Sequence, residues 1–298
     1  MTTRVTALRN KARQGFRWAL FRFIRQWPLV PLAILIVILI FALFAGFISG
    51  YDPTSGVLTD RNIPPAWTEE GSSAHLLGTD PLGRDIMTRI MHGARVSLMV
   101  AGIVLSAGAV GGTALGLISG WFGGVTDEVI QRLVEFTIAI PFILVALVVV
   151  IVLGQTLEVI IILLVIFSWG GFTRQVRGET LQLRNMDYVA LAQIAGASTT
   201  RILLRHILPG VISTVMVLIS LSVGGLIITE SVLSYLGVGI PPPTPAWGLM
   251  VAEGRNYIVE ASWVSFFPGL AILFTVLGFN FMGDWLRDRF DPRLRQLI

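Results

Sequence analysis

The chain has no cysteine and only three histidines in 298 residues, and its single lysine is Lys11. Without cysteine there is no disulfide, no thiolate metal site and no Cys nucleophile, and the redox compartment stays open. A P-loop ATPase needs a lysine behind a glycine-rich loop to reach the phosphates. Lys11 sits in a short basic N-terminal arm, so the chain does not hydrolyse ATP by that route. His75, His92 and His206 fall in separate segments with no HExxH spacing, and no GxSxG occurs, which removes the zinc-enzyme and serine-hydrolase readings. Charge is also scarce. Only 13% of residues are charged while 54% are hydrophobic, far from the balance of a soluble domain. Water is not the main solvent of this chain.

Long apolar runs take the place of the missing charge. The first covers residues 29–49, matching the roughly 20 residues that cross a bilayer core and exceeding a signal-peptide h-region of about 7–15. Further runs cover Val96–Ile118, Val129–Leu153, Leu157–Phe172, Val211–Leu236 and Trp263–Met282. Gly111, Gly112, Pro141, Gly224, Gly225 and Pro268 lie within them and are tolerated where packed neighbours satisfy the backbone; a kink is expected near Pro141. The fold class expected is an all-α integral membrane protein with six transmembrane helices.

Cation placement orients these spans. Arg4, Arg9, Lys11, Arg13, Arg17, Arg22 and Arg25 precede the first run with no acid among them, a pattern that holds residues 1–28 in the cytoplasm rather than on a nucleic acid. Alternation then places Arg174, Arg177, Arg184, Arg201, Arg205, Arg287, Arg289, Arg293 and Arg295 inside. Only Arg61, Arg84, Arg89, Arg95 and Arg255 fall outside, and Arg132 lies near the inner end of the third span. Both termini are thus expected in the cytoplasm. The division is an arm at 1–28, a first span at 29–49, an extracytoplasmic segment at 50–95, a core of five spans at 96–283 with a cytoplasmic loop at 176–209, and a tail at 284–298.

In the outer segment, Asp80-Pro81 reads as a helix cap followed by proline at the first helical position, with Leu82, Ile86 and Ile90 on one face. An amphipathic helix at the interface is expected there, with Asp85 and Arg89 pairing on its wet side. At the inner edge of the third span, Glu128, Arg132 and Glu135 are spaced for local pairing. The Pro241 to Trp247 loop reads as a stiff lid carrying an interfacial tryptophan. Glu230, near the outer end of the fifth span, should avoid lipid; it reads either as a polar lining of the pathway or as a structural bond to the outer loop.

The longest inner loop runs Met186-Asp187-Tyr188-Val189-Ala190-Leu191-Ala192-Gln193-Ile194-Ala195-Gly196-Ala197-Ser198, then Arg201, and closes on His206-Ile207-Leu208-Pro209. It reads as a short helix, a glycine break, a second helix and a proline restart, an elbow that can project as a knob. This stretch resembles the EAA loop of importer permeases in the ATP-binding-cassette superfamily: Ala192, Gly196, Leu208 and Pro209 match. Ala190 and Leu191 replace the Glu and the middle Ala, so the position lacks the acid that would form a salt bridge to the ATPase. His75-Leu76-Leu77-Gly78-Thr79-Asp80-Pro81-Leu82-Gly83-Arg84-Asp85 followed by Gly93-Ala94-Arg95-Val96-Ser97-Leu98 is similar to a signature of the C-type permease subunits of dipeptide, oligopeptide and related importers. So are Glu230 to Gly239, Pro241 to Gly248, and Asn280 to Asp288 with Asp291-Pro292.

The resemblance implies the type I importer permease fold and a non-catalytic inner-membrane component of a binding-protein-dependent transport system, in the cell membrane of a prokaryote. Expected partners are a paralogous permease forming a heterodimer, one or two P-loop ATPase subunits that carry ATP and Mg, membrane lipid, and an extracytoplasmic substrate-binding protein that delivers peptides. No cofactor is expected in this chain. The ATPase contact is expected at Asp187, Tyr188, Ala192, Gly196, Ala197, Ser198, Arg201, His206, Leu208 and Pro209. Gly78, Thr79, Asp80, Gly83, Arg84 and Asp85 are expected either to scaffold an outer gate or to receive the binding protein, with helix capping as the plainer account of Asp80 and Pro81. The alternative function is a secondary transporter driven by an ion gradient, against which the elbow and the lack of repeat halves argue.

Overall fold

The computed structural model of the chain describes residues 28–290, so the arm cations Arg4 to Arg25 and the tail cations Arg293 and Arg295 lie outside the described residues. The described part is built on helices: α1 (Leu29–Ile48), α2 (Ile86–Phe122), α3 (Gly124–Ala139), α4 (Phe142–Leu153), α5 (Leu157–Leu183), α6 (Asp187–Ile194), α7 (Thr199–Ile202), α8 (Leu208–Tyr235), α9 (Trp247–Gly254) and α10 (Trp263–Phe290). A π turn, Leu203–Ile207, joins α7 to α8 without a break. Five of these stretches are long and apolar enough to cross a membrane, and α3 with α4 makes a sixth if the bent pair counts as one span.

The kink expected near Pro141 is a full break of 81°. Its cause is local. Ile140 precedes proline, which pushes that residue out of the helical region, and its φ, ψ of −86°, 124° are extended.

The outer segment departs from the sequence reading. Asp80 does not cap a helix: its Oδ1 accepts from Leu82 N at 2.8 Å and Arg84 N at 3.0 Å, closing a tight turn that Gly83 completes at φ +74°. The cap is Asp85, whose Oδ1 accepts from Thr88 N at 2.7 Å. From there α2 runs 37 residues without a break into the span, so residues 81–85 form a turn and no separate interfacial helix stands before α2. At 1.5 Å per residue α2 is about 55 Å long, well beyond a ~30 Å hydrocarbon core, so part of it projects from the membrane.

Glycines bring α2 and α5 together. Gly108, Gly112, Gly116 and Gly120 recur every fourth residue on one stripe of α2. A Cβ at Gly112 would stand 2.5 Å from Trp169 O, and one at Gly120 would stand 2.7 Å from Thr180 Cβ. Small residues at this spacing let two backbones approach, the main packing device where lipid removes the hydrophobic drive between helices. Gly102 and Gly111, off the stripe, have nothing within 4 Å. Gly111 and Gly112, adjacent in sequence, thus differ in role.

Trp247, read as interfacial, is a core residue. It is 1% exposed at the start of α9, which docks on α8, α2 and α10, and its indole Nε1 donates to Ile90 O at 3.0 Å. The loop between α8 and α10 is therefore a packed cap and not only a stiff strap.

Candidate functional site

Two ends of the molecule carry the residues singled out in the sequence. At the outer end, Arg84 Nε donates to Asp80 Oδ2 at 2.6 Å and its Nη2 to Glu253 Oε2 at 3.0 Å. Arg89 Nη1 reaches the same two oxygens at 2.6 and 2.7 Å. Two cations thus meet two carboxylates, one from the turn before α2 and one from α9. Asp80, Arg84 and Arg89 are all buried. The pairing of Asp85 with Arg89 on a wet face does not occur: Arg89 is turned inward to Asp80 and Glu253, while Asp85 Oδ2 is 3.0 Å from His75 Nδ1. The physical reason is the shifted helix start, which makes Asp85 the cap and aims Arg89 at the core.

Thr79 continues the weld. Its hydroxyl donates to Asp60 O and accepts from Ile63 N, and its carbonyl accepts from Trp263 Nε1 at 3.1 Å. Gly78, with φ +82°, has the Trp263 indole 3.0 Å from where a Cβ would sit. The residues expected to scaffold a gate or receive a binding protein, Gly78, Thr79, Asp80, Gly83, Arg84 and Asp85, are thus all buried. What faces outward beside them is Leu82, with Val57 and Leu58.

At the opposite end the sequence elbow is an elbow in space. Asp187 opens α6; Gly196 turns the chain at φ +76°; Ser198 caps α7, its Oγ accepting from Arg201 N; and Pro209 lies in the first turn of α8. Val189, Ile202, Ile207 and Val211 anchor it by burial beneath α2 and α5, with Leu117 and Val176. Tyr188, Leu191, Ile194 and Leu204 stay exposed, Leu191 at 65% and Ile194 at 84%. Of the expected contact residues, Asp187, Tyr188, Gly196, Ser198, Arg201 and Pro209 are exposed, and Ala192, Ala197, His206 and Leu208 are half-buried behind them.

Between the two ends lies a cavity of about 400 Å³ at the α3–α4 break. Thr137, Ile140, Pro141 and Phe142 from the break face Phe167 and Ser168 of α5 and Ser222 and Thr229 of α8 across it. The lining is mainly apolar and uncharged, with the hydroxyls of Thr137, Ser168, Ser222 and Thr229 among it, three of them bonded to backbone carbonyls of their own helices. Glu230 is next in sequence to Thr229 but is not part of this wall. It is buried, its Oε1 accepts from Ser234 Oγ at 2.7 Å, and the same hydroxyl accepts from Ile240 N at 3.2 Å. That geometry ties the end of α8 to the outer loop and favours the structural reading.

Sequence reasoning missed Glu253, the hydroxyl wall and a bidentate pair between Asp127 of α3 and Arg177 of α5. Such partners are 50 to 169 residues apart, and no local spacing announces them. The expected pairing in α3 is found only for Arg132 with Glu135, at 3.1 Å and exposed. Among the described residues no group of His, Cys, Asp and Glu is arranged to hold a metal ion.

Known proteins place this architecture. The chain is 40% identical over 297 residues to the glutathione transport system permease protein GsiD of Pectobacterium atrosepticum, covering 99% of this chain and 97% of that protein. It is 38% identical over 268 residues to the dipeptide transport system permease protein DppC of Haemophilus influenzae, covering 90% and 91%. It is 39% identical over 279 residues to the oligopeptide transport system permease protein OppC of Bacillus subtilis, covering 93% and 90%. Residues 112–296 match the model of the binding-protein-dependent transport system inner membrane component, a span that begins within the glycine stripe of α2 and takes in the break, the elbow and the 237–262 part of the cap. With its multiple apolar helices and a match over more than half its length, the chain belongs to the family of binding-protein-dependent transport system inner membrane components.

Proposed function

We propose that this chain is the permease subunit of an ATP-binding-cassette importer, that it supplies half of a translocation pathway for small peptides, and that ATP hydrolysis in separate subunits drives it through the elbow at 187–209. The observation that carries the reading is the elbow. Its buried side is anchored on Val189, Ile202 and Ile207, while Leu191 and Ile194 protrude, an apolar projection that a partner protein would cover. Peptide cargo rests on the relatives, whose names specify dipeptide, oligopeptide and glutathione transport.

In this scheme both termini and the elbow are cytoplasmic, and residues 50–85 and 237–262 form the outer cap. A paralogous permease completes the pathway across the open flank of α3 and α4. One or two P-loop ATPases hold ATP and Mg, and a substrate-binding protein docks on the exposed rim beside Leu82. The buried Asp80, Arg84 and Arg89 set supports the gate-scaffold role, since welded charges hold the cap in one geometry. The chain itself does no chemistry.

The test is uptake of a labelled dipeptide into proteoliposomes holding the purified complex. Uptake that requires internal ATP and survives collapse of proton and sodium gradients is the expected result. Uptake driven by a gradient without ATP would replace this reading with secondary transport.

A further inference from the structure

α3 is a rod between two breaks. It begins at Gly123 and Gly124, both in the left-handed region at φ +64° and +53°, and ends at the Ile140–Pro141 break. Its 16 residues make about 24 Å of stiff helix. Its far end forms one wall of the hydroxyl-lined cavity, through Thr137, Ile138 and Ile140. Only Ile130 and Val134 along it are buried. Packing alone therefore fixes it weakly.

Its near end is held by charge. Arg177 of α5 donates from Nε to Asp127 Oδ1 at 2.5 Å and from Nη2 to Asp127 Oδ2 at 2.6 Å, the fork-to-fork geometry that fixes orientation as well as distance. Ser119, in the last turn of α2, donates to Asp127 Oδ1 and accepts from Gln131 Nε2. Seven residues on from Arg177, Arg184 Nη1 donates to Gly120 O and Trp121 O, the carbonyl end of α2, where a cation also meets the favourable end of the helix dipole. The end of α5 thus grips both arms of the α2–α3 turn. Beyond Arg184 only Asn185 and Met186 separate it from α6.

We propose that the Asp127–Arg177 pair is the joint through which movement of the elbow is passed to α3, and so to the wall of the cavity at the Ile140–Pro141 break. The inference rests on the coupling role of residues 187–209 proposed above. Two left-handed glycines supply the hinge, the guanidinium–carboxylate fork supplies the grip, and α3 supplies the lever. Asp127 and Arg177 are positioning residues in this scheme; neither touches cargo or nucleotide.

The experiment uses the full transporter in proteoliposomes, with its ATPases and binding protein, and reads peptide taken up per ATP hydrolysed. Asp127→Asn and Arg177→Gln are expected to keep the ATPase bound and to lower that ratio about tenfold. The exchanged pair, Asp127→Arg with Arg177→Asp, should restore most of it. Arg177→Lys, which keeps the charge but loses the fork, should fall between. A second measurement places spin labels at the exposed Ala139→Cys and Ile228→Cys, clean sites because the natural chain has no cysteine. Their separation should change with ATP in the wild-type background and stop changing with Asp127→Asn. A wild-type ratio in Arg177→Lys and either neutralising variant, or a nucleotide response that persists without the pair, would overturn the joint. If the unaltered chain purifies without any ATPase, the coupling reading itself has failed, and that arm separates the two outcomes.

Discussion

The two ends of this protein hold their side chains in different ways. At the end built from residues 50–85 and 237–262, Asp80, Arg84, Arg89 and Glu253 close on one another and Thr79 is bonded on both sides, while Arg89 Nε and Nη2 stay buried without a partner and Leu82 and Val259 stay exposed. At the other end, the elbow buries one side on Val189, Ile202 and Ile207 and leaves Leu191 and Ile194 bare. An end cross-linked by charge-assisted hydrogen bonds can keep its geometry while the rest of the molecule moves. On the reading proposed above, the charge-linked cap serves as a fixed frame and the elbow as the projection that meets the ATPase.

Breaking the frame should have the largest effect on the chain itself. Asp80→Ala leaves two buried guanidinium groups short of a carboxylate, which costs about 3–5 kcal/mol when a buried pair is broken from one side. A large fall in the unfolding temperature of the detergent-purified protein is expected, and an unchanged temperature would show that the cap is not welded by charge. Next comes the helix stripe. Gly112→Val drives a side chain against Trp169 O and Phe172 and should cost about 1–3 kcal/mol or prevent folding, whereas Gly111→Ala, in open space, should leave yield and unfolding temperature near wild type. Equal behaviour of the two would contradict the close approach of α2 and α5.

Smaller again is Ser234→Ala, which removes the hydroxyl joining Glu230 to Ile240 N. A loss of about 1 kcal/mol is expected for removing the hydrogen bonds of this hydroxyl, read in the same melting assay. The smallest change in stability belongs to the elbow. Ile194→Asp alters a side chain that touches little of its own chain, so stability should move by no more than about 0.5 kcal/mol. The same substitution should strip the ATPase from the purified complex. A variant that melts as wild type and still retains its ATPase would remove Ile194 from the interface.

Much of this was legible in the sequence because hydrophobic runs, proline and glycine act locally. The runs gave the spans, Pro141 gave the break, and Gly196 with Pro209 gave the elbow. Polar pairing was not legible, because its partners meet only after folding. Asp85 and Arg89 look like a surface pair one turn apart, yet a helix start displaced to Ile86 sends each to a different partner. Glu253 reads as an unremarkable acid in a loop until α9 docks it over Arg84 and Arg89. The four-residue glycine repeat in α2 was present in the sequence as a signal of close helix packing, hidden by neighbouring glycines that have no such role.

The claim at the centre of this account is that the elbow is a cytoplasmic projection that docks on an ATPase while the cap faces outward. Since the chain has no cysteine, two single variants test it: Ile194→Cys and Leu82→Cys, both at exposed positions. A membrane-impermeant thiol reagent added to intact cells should label Leu82→Cys and spare Ile194→Cys. In inverted vesicles the preference should reverse, with addition of the purified ATPase shielding Ile194→Cys. Labelling of Ile194→Cys from outside the cell, or no shielding by the ATPase, would contradict the account.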